Sequence, residues 1–247
     1  MVSGVEVLAI IPARGGSRSI PRKNIKLLSG FPLIAYSIVA GLKARKVNRV
    51  IVSTDDDEIA KIARHWGAEV PYMRPRDLSG DDVTDFGVFR QGLTWLAEHE
   101  NYVPEVVVQL RPTSPLRPLG CVDLAVETLL ADKAADCVRS VVPSAQNPYK
   151  MWSLAKNGYM HQLLKAPGII EPYNAPRQKL PLTYWQTGHV DVIRYKTIMT
   201  KGSMSGDRVL PLILDSRVAI DIDTENDWSY AEWQLDRLKL PIIRPKF

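Results

Sequence analysis

The stretch VEVLAIIPARGGSRSIPRKNIKLL, residues 5–28, decides how the rest of the chain is read. Val5–Ile11 is a nearly continuous apolar run, the pattern of a strand buried on both faces of a parallel sheet. The run stops at Pro12. Five cationic side chains then follow, Arg14, Arg18, Arg22, Lys23 and Lys26, with two adjacent glycines, Gly15 and Gly16, and two serines, Ser17 and Ser19. The two glycines let the backbone approach a ligand closely, and exposed amides in such a turn form a concavity for anions. Arg14, Arg22 and Lys23 bring the charge that neutralises a polyphosphate. The pattern is neither GxxxxGKS/T nor GxGxxG, so it is neither a P-loop nor a dinucleotide turn. A solvated basic loop is the plain alternative, and a place directly after a buried strand favours anion binding over it.

Working outward, the residues alternate between strand and helix. GFPLIAYSIVAGLKARK (30–46) has Pro32 near a helix start and Ile34, Ile38 and Leu42 at helical spacing. RVIVSTD (49–55) reads as a second strand. DDEIAKIARHWG (56–67) reads as a helix, with acids at its start and Gly67 at its end. A short strand is expected at Glu69–Tyr72, a polar loop after it, a helix over Phe86–Glu98 and a strand over Glu105–Leu110. A helix over Gly120–Ala131 and the strand DCVRSVVP (136–143) complete the series. This alternation predicts an open, mostly parallel sheet flanked by helices. Ligands of such sheets sit beyond the carboxyl ends of the strands, so the loops after Ile11, Thr54, Leu110 and Val142 are expected on one edge.

The pattern changes after Pro143. Asn157–Gly158 lies between two apolar runs and signals a hairpin. The proline-rich segment Ala166–Leu182 reads as an ordered excursion, a lid or a dimer contact. GHVDVIR (188–194) and RVAIDID (217–223) return to strand character. TENDWSYAEWQLDRLKL (224–240) is a closing helix capped by Thr224. The length of 247 residues fits one domain over 1–247, with the hairpin and proline-rich excursion at about 145–185.

Apolar residues make up 45% of the chain, enough for a sizeable core. The net charge is +5, but 27 acidic residues are interspersed among 32 basic ones, with no block of like charge suited to nucleic acid. Cys121 and Cys137 lack zinc-ligand spacing and suit a reducing compartment. No signal peptide or membrane-crossing run is visible, and a cytoplasmic location is expected.

Four further constellations bear on chemistry. Asp221 and Asp223, two apart in AIDIDT, point to one face if that segment is a strand, and paired carboxylates fit a hard divalent cation such as Mg²⁺. In QLRPTSPLRP, Arg111 and Arg117 flank Thr113 and Ser114 at a strand end; location favours a site role for Arg111. In APRQKLP, Arg177 and Lys179 are presented between prolines, where Arg177 suits a carboxylate and a surface charge pair is equally compatible. His189, in QTGHVDV, is a candidate base, although lone histidines are more often structural.

In order along the chain, IIPARGGSRSIPRKNI, RVIVSTDD, MRPRDL, RPTSPLR, NPYK, PRQKLP and AIDIDT together resemble the acylneuraminate cytidylyltransferase family, and the match covers nearly the whole chain. The resemblance implies a Rossmann-like α/β nucleotidyltransferase, usually a homodimer. It implies Mg²⁺-dependent transfer of CMP from CTP to the anomeric hydroxyl of a sialic-acid-like 2-keto-3-deoxy sugar acid, with release of pyrophosphate. The loop with Ala13, Arg14, Gly15, Gly16, Ser17, Lys23 and Asn24 would hold the CTP triphosphate, with Arg14 and Lys23 catalytic. Arg74, and Thr84 in the segment around Asp82–Asp85, would bind the nucleotide. Arg111, Lys150, Arg177, Gly188 and His189 would face the sugar acid, with Arg177 on its carboxylate. Asp221 and Asp223 would hold the metal and supply the catalytic carboxylates.

Two positions depart from the family pattern. Arg111 stands where sialic acid synthetases carry glutamine, and Thr187-Gly188-His189 replaces asparagine–glycine–alanine. A cationic Arg111 favours a more acidic acceptor, such as a phosphonate or another ulosonic acid. A non-catalytic nucleotide- or nucleic-acid-binding protein is the reading from another class; the Asp221/Asp223 pair and the lack of interleaved aromatics argue against it.

Overall fold

A computed structural model describes residues 4–237 and 239–246. The strands are β1 (Val7–Pro12), β2 (Leu27–Leu28), β3 (Phe31–Pro32), β4 (Arg49–Ser53), β5 (Val106–Gln109), β6 (Cys137–Pro143), β7 (Trp152–Leu154), β8 (Met160–Gln162), β9 (Tyr184–Arg194) and β10 (Val209–Ile213). The α-helices are α1 (Leu33–Lys43), α2 (Asp57–His65), α3 (Asp85–Glu100), α4 (Cys121–Ala131), α5 (Tyr195–Met199) and α6 (Glu225–Arg237). Six strands form one sheet in the order β10-β6-β9-β5-β1-β4. All are mutually parallel except β9, which runs antiparallel between β5 and β6.

Alternation along β1 explains the layering. Val7, Ala9 and Ile11 pack with α1, α2, α4 and α6 on one face. Leu8 and Ile10 pack with α3 and α5 on the other. A strand with helices on both faces has no solvent side, hence its unbroken apolar run.

Helix ends follow their sequence signals. The Asp56 carboxylate caps α2 by accepting from the backbone N–H groups of Glu58 and Ile59. Thr224 and Asp227 form a reciprocal capping box at α6: Thr224 Oγ1 accepts from Asp227 N–H at 3.2 Å, and Asp227 Oδ2 accepts from Thr224 N–H at 2.7 Å. The Asn157–Gly158 turn joins β7 and β8, with Gly158 at φ 86°.

Two expected strands are absent. Glu69–Tyr72 contributes only an isolated bridge, Glu69 to Ile51, flanked by another from Met73 to Thr54. RVAIDID is a 3₁₀ turn at Ser216–Val218 followed by irregular chain. Its buried Ile220 and Ile222 gave it a strand-like alternation, but Ile222 N–H donates to Thr113 O of the loop after β5 rather than to a sheet neighbour. The sheet edge there is taken by β10, beside β6. The inference that Asp221 and Asp223 share one strand face therefore falls.

Candidate active site

The parallel strands bring the loops after β1, β4 and β5 to one edge. There they enclose a cavity of about 540 Å³. Its walls come from the opening loop (Arg14, Ser17, Arg18, Ser19, Lys23, Asn24), from Arg74, from Leu78, Gly80, Asp81, Val83, Asp85 and Val88, from Arg111–Thr113 and from Asp223.

The opening loop is held by its own sheet neighbours. Ala13 N–H donates to Ser53 O at 2.9 Å, and Gly15 N–H donates to Asp55 Oδ1 at 2.9 Å. A Cβ on Gly15 would lie 2.8 Å from Asp56 Oδ2 and 2.9 Å from Asp56 Cβ. Gly15 therefore serves close approach to a protein carboxylate, and its amide is already engaged. Arg22 sits in the left-handed region at φ 57° and turns away from the cavity to grip Asp56 and Glu58. That grip holds the Asp56 carboxyl below the usual carboxylate range, helped by the α2 amides. Arg22 is thus a structural cation here, not one of the cavity's.

Three loop cations do face the cavity. Arg14 donates to Gly80 O at 2.8 Å and pairs with Asp81 at 2.7 Å; Arg18 also pairs with Asp81. Lys23 Nζ donates to Ile222 O at 2.7 Å and to Asp223 Oδ1 at 3.1 Å. Asn24 is buried, with its amide donating to Arg14 O at 2.9 Å, so it braces the loop from beneath. Arg74 is buried and forms no salt bridge among the described residues, although Asp55 and Asp85 are close enough to act on its charge. Its guanidinium donates to Ser53 Oγ at 3.1 Å and Ser53 O at 2.5 Å, and burial pulls its pKa down.

The wall opposite differs. Arg111 donates to Asp191 Oδ2 at 2.9 Å and to Asp85 Oδ2 at 2.8 Å. Gln109 donates to the same Asp85 oxygen at 2.7 Å. Arg139 reaches Asp191 Oδ2 at 3.0 Å from the far side. Asp191 is the registered neighbour of both Gln109 and Arg139 across β5, β9 and β6. The expectation of a free cation at Arg111 therefore fails, because two aspartates already balance it. The missed signals were a charged residue inside each of two apolar strands, Arg139 in CVRSVVP and Asp191 in GHVDVIR.

Several predicted residues stand apart from the cavity. His189 is fully buried: its Nε2 lies 2.9 Å from Val218 O, Nδ1 has no partner, and burial beside Arg117 pushes its pKa down to about 3. Gly188 is packed against the Arg111–Ser114 loop, where a Cβ would come 2.5 Å from Ser114 Oγ. Both shape the loop from behind. Gly16 lies at a shallow recess beside Ser17 and Ser79. Thr84 is exposed at the start of α3 and does not line the cavity. Asp221 does not line it either, although its Oδ1 is buried without a partner. Lys150 and Arg177 lie on the excursion. Arg177 donates to Ser144 O at 2.8 Å and lines a separate hollow with Asn147 and Leu182. One chain alone does not bring these two residues to the cavity.

With this geometry in view, residues 8–176 match the family model described as Cytidylyltransferase. The chain is 34% identical over 229 residues to CMP-N,N'-diacetyllegionaminic acid synthase of Legionella pneumophila, covering 92% of this chain and 95% of that protein. It is 32% identical to N-acylneuraminate cytidylyltransferase A of Danio rerio, covering 94% of this chain and 51% of that longer protein. In fold it is similar to CMP:2-keto-3-deoxy-manno-octonic acid synthetase, solved with CTP: the TM-score is 0.67 at 14% identity, covering 94% of this chain and 99% of that one. The cavity at the carboxyl edge of the sheet is therefore the candidate active site of a nucleotidyltransferase, and the chain belongs to the acylneuraminate cytidylyltransferase family.

Proposed function

We propose that the protein transfers CMP from CTP to the anomeric hydroxyl of a sialic-acid-like 2-keto-3-deoxy sugar acid. The observation that carries the reading is the set of cations Arg14, Arg18 and Lys23, held at the cavity by carboxylates that a triphosphate can displace. Curated relatives named for CMP-sugar synthesis support the acceptor class. The acceptor oxygen bonds to the α-phosphorus, the α–β bridging bond breaks, pyrophosphate leaves, and the hydroxyl proton passes to a carboxylate, Asp221 or Asp223. Arg14 and Lys23 stabilise charge on the phosphates as the bond breaks, and Asn24 holds the loop that carries them.

The donors present fit Mg²⁺. Asp223 stands at the cavity, and Asp221 carries a buried carboxylate oxygen without a partner. Among the described residues no three-residue cluster of metal-ligand type exists. Asp221 and Asp223 would supply one or two carboxylates to such an ion, the remaining positions falling to water and substrate phosphate. Bound there, Mg²⁺ supplies charge neutralisation at the triphosphate.

We further propose a homodimer, through which Lys150 and Arg177 of the excursion reach a sugar acid, Arg177 taking its carboxylate. The excursion's exposed Leu154, Met160, Ile170 and Leu182 support a covered face. Among the described residues no helix is long and apolar enough to cross a membrane. Two free, buried cysteines accord with the cytoplasm as location. The pairing of Arg111 removes the reason to favour a phosphonate acceptor.

The test is pyrophosphate release with Mg²⁺, comparing CTP, GTP and ATP against a panel of ulosonic acids and phosphonates. Release only with CTP and an ulosonic acid is expected; CTP turnover with none of the acids would sink the reading. Asp223→Asn should lose release while keeping the native fold by circular dichroism.

A further inference from the structure

Apart from the buried Arg74, which is held by Ser53, the cavity's cations fall into two kinds. Those on the opening loop pair with carboxylates at the surface: the Asp81 side chain is 31% exposed and that of Asp223 is 71% exposed. Such pairs are worth little, so an entering polyanion exchanges for them readily. Arg111 is different. Its partner Asp191 has a side chain 0% exposed, and the same Asp191 oxygen holds Arg139. Arg139 is fixed in turn by Met204 O at 3.0 Å and Ser205 Oγ at 2.8 Å. Asp85 adds a second carboxylate to Arg111 at 2.8 Å. Two arginines and two aspartates sum to zero charge. The Asp191 side chain is closed to solvent, so it stays with its two arginines, while Asp85, 37% exposed, is the exchangeable partner of Arg111.

We infer that Asp191 is a positioning residue that holds the Gln109–Arg111 wall electrically neutral, so that this wall offers phosphate no seat and the neutral, hydroxyl- or amide-bearing part of the ligand faces Arg111 and Asp85. The arrangement orients the ligand by denying its anionic end a second seat. A bare Arg111 would provide that seat within the same cavity, and a triphosphate bound backwards would be unproductive. The register supports this role. Gln109, Asp191 and Arg139 form a polar row across three neighbouring strands, beside the apolar row of Val108, Val192 and Val138. Burial of Asp191 without a second partner for its Oδ1 is costly, and the arginines on both sides offset it. The inference rests on the proposed nucleotide reading for the identity of the ligand, but not for the electrostatics of the wall.

The test uses inorganic pyrophosphate as probe, measured by calorimetry on the full chain, so it needs no turnover. Asp191→Asn keeps the shape of the side chain and leaves one uncompensated positive charge; pyrophosphate should bind about three- to tenfold tighter, with a steeper loss in salt. The double variant Arg111→Gln/Asp191→Asn restores neutrality and should return to native affinity. Asp85→Asn exposes the same charge from a solvent-accessible position and decides the matter if Asp191→Asn does not fold. A merely structural role would weaken binding, never strengthen it. Native or weaker pyrophosphate affinity in the folded Asp191→Asn and Asp85→Asn variants would overturn the inference. Tighter pyrophosphate binding without CTP turnover on any acid would leave it standing and sink the proposed function instead.

Discussion

The opening loop, residues 13–24, and the excursion, residues 144–183, begin alike: each leaves the carboxyl end of a parallel strand and is rich in cations and backbone-restricting residues. Their fates differ. In the opening loop, every named cation meets a carboxylate or carbonyl from another element, reaching as far as Asp223 at the distant end of the chain. In the excursion, Arg177 reaches only a local carbonyl, while Leu154 is 75% exposed and Ile170 95% exposed. The cations of the first are satisfied within one chain. The second presents exposed apolar side chains beside Arg177, which meets no carboxylate among the described residues. Sequence composition did not distinguish them; the carboxylates of Asp56, Asp81 and Asp223 that meet the opening loop did.

The sharpest way to break the comparison is to remove a cation from each region. Lys23→Ala should lower kcat by about 10²–10³-fold if its ammonium, which lies at the cavity beside Asp223, meets the charge developing on the phosphates as proposed. Arg177→Ala should instead raise KM for the acid sugar by about tenfold and leave KM for CTP near native. Steady-state kinetics on both substrates reads the split. Equal effects of Arg177→Ala on both KM values would deny the excursion its acceptor role. If the excursion serves a neighbouring protomer's cavity, a mixed dimer of Lys23→Ala and Arg177→Ala subunits holds one native site, and at low acid-sugar concentration it should turn over faster than either variant alone.

A smaller effect sharpens the opening-loop half. Gly15→Ala places a methyl within 3 Å of the Asp56 side chain, which is fixed by Arg22 and two α2 amides. The neighbour cannot yield cheaply, so the cost should be about 1–3 kcal/mol. Thermal denaturation should show a lower Tm. An unchanged Tm would mean that Asp56 is less constrained than its four hydrogen bonds imply.

Much of this architecture was legible in the residues. The apolar run of β1, the Asp56 and Thr224 caps and the Asn157–Gly158 turn each rest on local signals, and local signals survive folding. The errors came from non-local facts. AIDIDT alternates like a strand because Ile220 and Ile222 are buried, yet burial against a loop produces the same alternation as burial in a sheet. Arg111 looked like a free cation because its partners, Asp85 and Asp191, lie 26 and 80 residues away. The same blindness made His189 a candidate base.

His189 yields the least dramatic prediction and the cleanest sign. In the fold its pKa is pushed down to about 3, chiefly by burial and then by Arg117, while an unfolded histidine titrates near 6.5. Between those values the unfolded chain takes up a proton that the folded chain refuses, so stability rises with pH across that window. The contribution is fully present above about pH 6.5 and is lost as pH falls towards 3. His189→Gln keeps a donor for Val218 O and removes the titration. Its Tm should therefore fall less than the native Tm between pH 7 and 4.5, a gentle range in which most carboxylates remain ionised. Parallel Tm curves for the two proteins would show that His189 titrates in the fold as it does in the unfolded chain, and the buried ring, protonated at pH 4.5, would then need a counter-charge that neither Arg117 nor the Val218 carbonyl provides.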